Sequence, residues 1–172
     1  MPAHNELARQ KAPDSLHLHE PYYSNRQGND EANNIRTKTM EFLALNCGIK
    51  LASDKEADDF ASYLFALVDR STVSDTALIR KMKVGPGAGF YCHVMTVKSF
   101  GQVDDPRPKI KGSPVPLLVI KGQYDNQKWG FTHEYLDLFP DHRLVFIPDA
   151  GHAISTEQPA LLLTTIRSFL HE

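Results

Sequence analysis

The sequence predicts an α/β fold for its last third, residues 116–170, built on two parallel strands flanked by helices. Two observations carry this. The runs Pro116-Leu-Leu-Val-Ile120, ending in Lys121-Gly122, and Arg143-Leu-Val-Phe-Ile147 are short and continuously apolar, as in parallel strands covered on both faces. An amphipathic stretch follows each run, and a strand–helix–strand crossover is almost always right-handed, so the strands run parallel and their carboxyl ends share one edge.

The first of these helices, Phe131 to Phe139, places Tyr135, Leu138 and Phe139 on one side, with Thr132 as its cap and Pro140 as its stop. The closing helix, Glu157 to Leu170, runs through Leu162, Leu163, Ile166, Phe169 and Leu170. Thr156 is its expected cap, and Pro159 falls in the first turn, where a missing N–H is harmless. Upstream, residues 35–103 read as a helical segment. Ala57, Phe60, Ala61, Leu64, Leu67 and Val68 recur at three- and four-residue steps behind a cap at Ser53 or Asp54. Weaker stripes run from Thr37 to Leu45 and from Thr76 to Met82, and Gly85, Pro86, Gly87 and Gly89 break the pattern. The charged, proline-bearing stretch Asp104 to Pro114 reads as a connection into the last segment, residues 104–172. Residues 1–34, polar and without periodicity, read as a flexible arm.

Apolar residues make up 41% of the 172 and charged residues 23%, a soluble globular balance. A formal net charge of -2 with no basic block gives no field that would attract nucleic acid or a membrane surface. Cys47 and Cys92 are too few for a disulfide framework, and the first thirty residues hold no apolar run of the signal-peptide kind. These features predict a cytoplasmic protein.

The chemistry converges on two residues. Asp125 lies three positions after Gly122, and His152 closes Pro148-Asp149-Ala150-Gly151-His152, so both follow a strand's carboxyl end, where open α/β sheets bind ligands. A carboxylate that accepts the imidazole Nδ1–H fixes its tautomer and stabilises the imidazolium formed when Nε2 takes a proton. Gly151, lacking a Cβ, is expected to take an unusual φ so that the loop can turn over the strand ends.

The segments PVPLLVIKGQYD, DHRLVFIPDAGH and TEQPALLLTTIRSFL resemble the final two strands and last helix of α/β-hydrolases, in the branch that includes proline iminopeptidase-like enzymes. The resemblance implies ester or amide hydrolysis by a Ser-His-Asp triad, with Asp125 as the acid and His152 as the base, and it likens the helical segment to the lid of such enzymes. It implies neither metal nor organic cofactor, since backbone N–H groups form the oxyanion hole. No G-x-S-x-G occurs, so the chain supplies no nucleophile. The expectation is therefore a truncated product, an incomplete gene model or one part of a split protein. Its substrate would be a small ester or amide once the fold is completed, and a partner chain or second copy would cover the exposed sheet edge. The alternative is a catalytically inactive, hydrolase-derived binding protein.

Other residues receive structural readings. The His17–His19 pair lacks further ligands at metal spacing, and Gly85-Pro-Gly-Ala-Gly89 lacks the Lys-Ser/Thr of a phosphate loop. Ser155 sits in the His152 loop and reads as a capping residue rather than a nucleophile. Cys92 beside His93 reads as a buried structural thiol. Trp129, near His133, is a candidate for lining a substrate pocket or equally a packing aromatic.

Overall fold

The structure, a computed structural model, describes residues 32–69, 72–75, 77–78 and 89–171. Most of the expected arm, the His17–His19 pair, nearly all of the stripe from Thr76 to Met82 and the run Gly85 to Ala88 lie outside them. The described residues fall into two compact units. Residues 32–69 and 89–104 form a helical unit, and residues 72–75, 77–78 and 105–171 form the other, so Thr72–Asp75 belongs with the C-terminal elements.

In the helical unit, α1 (Ile35–Phe42) begins where the Asn34 carboxamide oxygen accepts the Thr37 N–H at 3.1 Å. It runs on as a π-helical turn, Leu43–Cys47, which ends at Gly48 in the left-handed region (φ 67°). Helix α2 (Asp54–Asp69) starts with the reciprocal capping box that Ser53 and Glu56 allow: Ser53 Oγ accepts the Glu56 N–H, and the Glu56 carboxylate accepts the Ser53 N–H at 3.0 Å. Its expected stripe is the buried one. Ala57, Ala61 and Leu64 join Met40 and the α3 (Phe90–Phe100) residues Phe90, Tyr91 and Val94 in one core, with Phe60 and Val68 packed against it. Asp58 fixes α3 by accepting the Phe90 N–H at 2.8 Å. Cys92 departs from expectation. The buried side of α3 is set by Phe90, Tyr91 and Val94, which leaves Cys92 exposed, as Cys47 is.

The C-terminal unit opens with α4 (Arg107–Ile110), a single turn inside the expected connection, whose Arg107 guanidinium bridges Asp105 and Glu134. Strands β1 (Leu117–Gly122) and β2 (His142–Ile147) pair in parallel, from Leu117 opposite His142 to Gly122 opposite Ile147. They are less covered than continuous apolar runs imply. Leu117–Ile120 are half-buried, and Phe146 is 37% exposed, because among the described residues β1 and β2 form a two-stranded sheet without the neighbours that would cover them.

Between the strands, α5 (Trp129–Leu138) starts two residues earlier than its pattern predicts. No side chain caps it, and Thr132 lies inside the helix, buried. The closing helix is split. Gln158, preceding a proline, is held out of the α region (φ -133°, ψ 56°), so the chain makes a short turn, α6 (Ile154–Glu157), and restarts as α7 (Pro159–Leu170). Thr156 and Ser155 thus sit within α6 and cap neither helix. Leu162 packs on a small core of Ile147, Ala150 and Ile154 with Ile120 and Val145, whereas Leu163 and Leu170 stay 52% and 72% exposed.

Gly122 ends β1 where another backbone crosses it: an added Cβ would lie 2.0 Å from the Gly151 carbonyl oxygen and 2.5 Å from that of Ala150. Gly48 has open space and needs only its left-handed φ. Gly122→Ala is therefore expected to cost about 3 kcal/mol of stability by overpacking, against roughly 1 kcal/mol for Gly48→Ala through backbone strain. Urea unfolding of both variants checks the contrast.

Candidate functional site

Asp125 and His152 are brought together. The Asp125 N–H donates to the Gly122 carbonyl at 3.2 Å, which turns the chain directly off β1 and places the carboxylate beside the loop after β2. Asp125 Oδ1 lies 3.1 Å from His152 Nδ1 and accepts the Gln127 N–H at 2.8 Å. Nδ1 therefore carries a proton in this arrangement, since its partner is a carboxylate, and Nε2 remains the basic edge. The two side chains differ in environment: that of Asp125 is 8% exposed and that of His152 51%.

The loops are joined by backbone bonds that prolong the ladder. Gln123 N–H donates to Ile147 O at 2.9 Å, Tyr124 N–H to Ala150 O at 2.8 Å, and Asp149 N–H to the Gln123 side-chain oxygen at 3.2 Å. The left-handed residue of the histidine loop is Asp149 (φ 50°), a residue type whose short polar side chain tolerates that region. Gly151 has no positive φ. It is required for a different reason: a Cβ there would meet Thr72 O at 2.5 Å and Val73 C at 3.0 Å.

Two residues that the sequence pattern left unassigned hold this arrangement. The Glu157 carboxylate accepts N–H bonds from Ser74, Asp75 and Gly151 and the Ser74 hydroxyl, tying residues 72–75 to the histidine loop, while Ala153 N–H donates to Thr72 O at 2.8 Å. Lys121, only 1% exposed, extends its ammonium to 3.1 Å from Asp125 Oδ2 and donates to the Gln127 carbonyl at 2.8 Å. A lysine closing an apolar strand reads as its solvated end, and only the Asp four positions later marks it as a paired charge. Trp129 is buried, edge-on to His133 at 5.9 Å and tilted against Phe146 at 6.4 Å.

An open groove of about 570 Å³, lined by residues that include Arg36, Met40, Leu51, Glu56 and Phe60, belongs to the helical unit and contains neither member of the pair. Among the described residues no group of three or more His, Cys, Asp or Glu is placed to hold a metal ion, and no helix is long and apolar enough to cross a membrane.

Electrostatics sharpen the pair. Burial by itself would raise the Asp125 carboxyl, but the bond from His152, the Lys121 charge and the Gln127 N–H together hold it below its ordinary value. The Asp125 bond lifts His152 above 6.5, against the opposing pull of partial burial and the Lys121 charge. Burial pushes the Lys121 ammonium down, and Asp125 offsets only part of that.

One curated protein shows similarity to this chain. A 62-residue stretch is 31% identical to a Bacillus subtilis (strain 168) protein described as "Putative 2-succinyl-6-hydroxy-2,4-cyclohexadiene-1-carboxylate synthase", covering 36% of this chain and 23% of that protein. The chain thus matches less than a quarter of that relative's length. No protein-family model and no solved structure matches.

The electrostatics fix a pH dependence. His152, raised in the fold, contributes stability that is fully present below 6.5 and is lost as pH climbs through its folded value. Asp125, lowered in the fold, contributes stability present above 3.8 and lost as pH falls through its folded value. NMR titration is expected to find His152 above 6.5 in the unmutated chain and below 6.5 in Asp125→Asn, where partial burial and Lys121 still disfavour the imidazolium. An unchanged His152 titration would show that the carboxylate does not act on it.

Proposed function

We propose that Asp125 and His152 are the acid and base of an α/β-hydrolase-type active site, with His152 Nε2 as general base and then general acid, and with the nucleophile outside these 172 residues. The observation that carries the reading is the buried Asp125 carboxylate 3.1 Å from Nδ1 of a half-exposed histidine, both just past the carboxyl ends of parallel strands. The similar B. subtilis protein supports the family. That protein is named as a synthase; hydrolysis of an ester or amide by a Ser-His-Asp triad is the specific form proposed here. A prolyl substrate rests on family likeness alone. In this reading the helical segment serves as a lid.

The sheet edge supports a second element of the proposal. β1 pairs with β2 alone among the described residues, and Val115, Leu161, Leu163 and Leu170 are exposed, so further strands, from upstream sequence, a partner chain or a second copy, complete the sheet. The two exposed, unpaired cysteines fit a reducing, cytoplasmic setting.

The rival reading, a hydrolase-derived binding protein that keeps the cleft without turnover, is favoured by the absence of G-x-S-x-G in the sequence. The discriminating assay measures hydrolysis of p-nitrophenyl acetate and a prolyl-arylamide. Residues 1–172 alone are expected to match their His152→Ala control, whereas a reading frame extended upstream to include G-x-S-x-G is expected to lose about 10³-fold or more on His152→Ala. A frame with no such segment, or an extended chain with no turnover above background, leaves the binding reading standing.

A further inference from the structure

The mechanism just proposed uses Asp125 and His152 but leaves Lys121 unexplained, although its aliphatic stem and ammonium are almost wholly withdrawn from water at the strand end. A buried lysine is costly unless paired, and this one has two partners, both within the turn that carries the acid: Asp125 Oδ2 at 3.1 Å and the Gln127 carbonyl at 2.8 Å. Gln127 closes the ring by giving its N–H to Asp125 Oδ1 at 2.8 Å. The carboxylate is therefore held at both oxygens, and its remaining direction at Oδ1 is the one that meets His152 Nδ1 at 3.1 Å.

We infer that Lys121 is a positioning residue: by anchoring Asp125 Oδ2 inside the strand end it orients the carboxylate so that Oδ1 receives the His152 Nδ1–H and fixes the imidazole tautomer. A carboxylate can turn about its terminal bond at little cost, and only one orientation serves the histidine. Gln127 N–H alone binds the same oxygen that His152 needs, so it cannot by itself set the other one. Lys121 supplies the missing constraint, and because it is buried rather than solvated, water and salt screen it far less than a surface pair. The inference rests on the proposed pair for its catalytic meaning, but it concerns a proton position that can be read without turnover.

The test is 15N NMR of the His152 imidazole at a pH where the ring is neutral, in the unmutated chain, Lys121→Met and Asp125→Asn. The unmutated chain is expected to show the Nδ1–H tautomer, and Asp125→Asn to lose it. Lys121→Met is expected to follow Asp125→Asn, shifting toward the Nε2–H form that free histidine prefers, even though Asp125 is still present. A folded Lys121→Met that keeps the tautomer of the unmutated chain overturns the inference. Should that variant fail to fold, the unmutated chain decides: the Lys121 Cε resonance is expected to move with the acid step that protonates Asp125, and a resonance indifferent to that step overturns the inference. Failure of the catalytic reading shows instead as His152-independent turnover, a separate observable.

Discussion

Asp125 carries a charge into a place where water barely reaches, and the local structure can be understood as what that carboxylate requires. A buried carboxylate without partners would take up a proton instead of staying ionised. Here it has a lysine on one oxygen and a histidine and a backbone N–H on the other, and it remains ionised with its ordinary value depressed. Removing one partner of such a buried pair typically costs about 3–5 kcal/mol, because the other charge is left stranded. Both carboxylate oxygens are thus engaged, Oδ2 by Lys121 and Oδ1 by Gln127 and His152.

Backbone proximity is the second constraint, and it depends on the first. For Asp125 to reach His152, the turn after β1 and the loop after β2 must touch, which is why Gly122 lies under the Ala150 and Gly151 carbonyls and why no side chain fits there. The loop then needs an outer support, and Glu157 provides it through bonds to Gly151, Ser74 and Asp75. Charge, close approach and capping therefore converge on one short stretch of chain.

The strands and the meeting of Asp125 with His152 were legible in the sequence because each has a local signature: a continuous apolar run, a Gly-x-x-Asp turn, a Gly-His pair after the second run. The buried stripe of α2 was equally readable from its spacing. What stayed hidden depends on contacts distant in sequence. Lys121 looks like a solvated strand end until the turn folds back on it, and Glu157 looks like the start of a helix until residues 72–75 arrive 82 and 83 positions away. Gly151 was identified as necessary, but the reason is crowding against Thr72 rather than a special φ. The expected caps Thr132 and Thr156 lie inside helices instead, because capping residues compete with proline geometry and packing, which a linear pattern does not weigh.

The central claim is that Asp125 and His152 act on each other rather than merely lying close, and a double-mutant cycle on stability measures this directly. Unfolding of the unmutated chain, Asp125→Asn, His152→Ala and the double variant is compared at pH 5.5, where the imidazole is charged, and at pH 9, where it is neutral. Residues in one hydrogen-bonded network couple by about 0.5–3 kcal/mol, and here the coupling is expected to be present at pH 5.5 and to shrink at pH 9 as the imidazolium is lost. Additive effects at both pH values would contradict the account, since the pair would then share a location but no interaction.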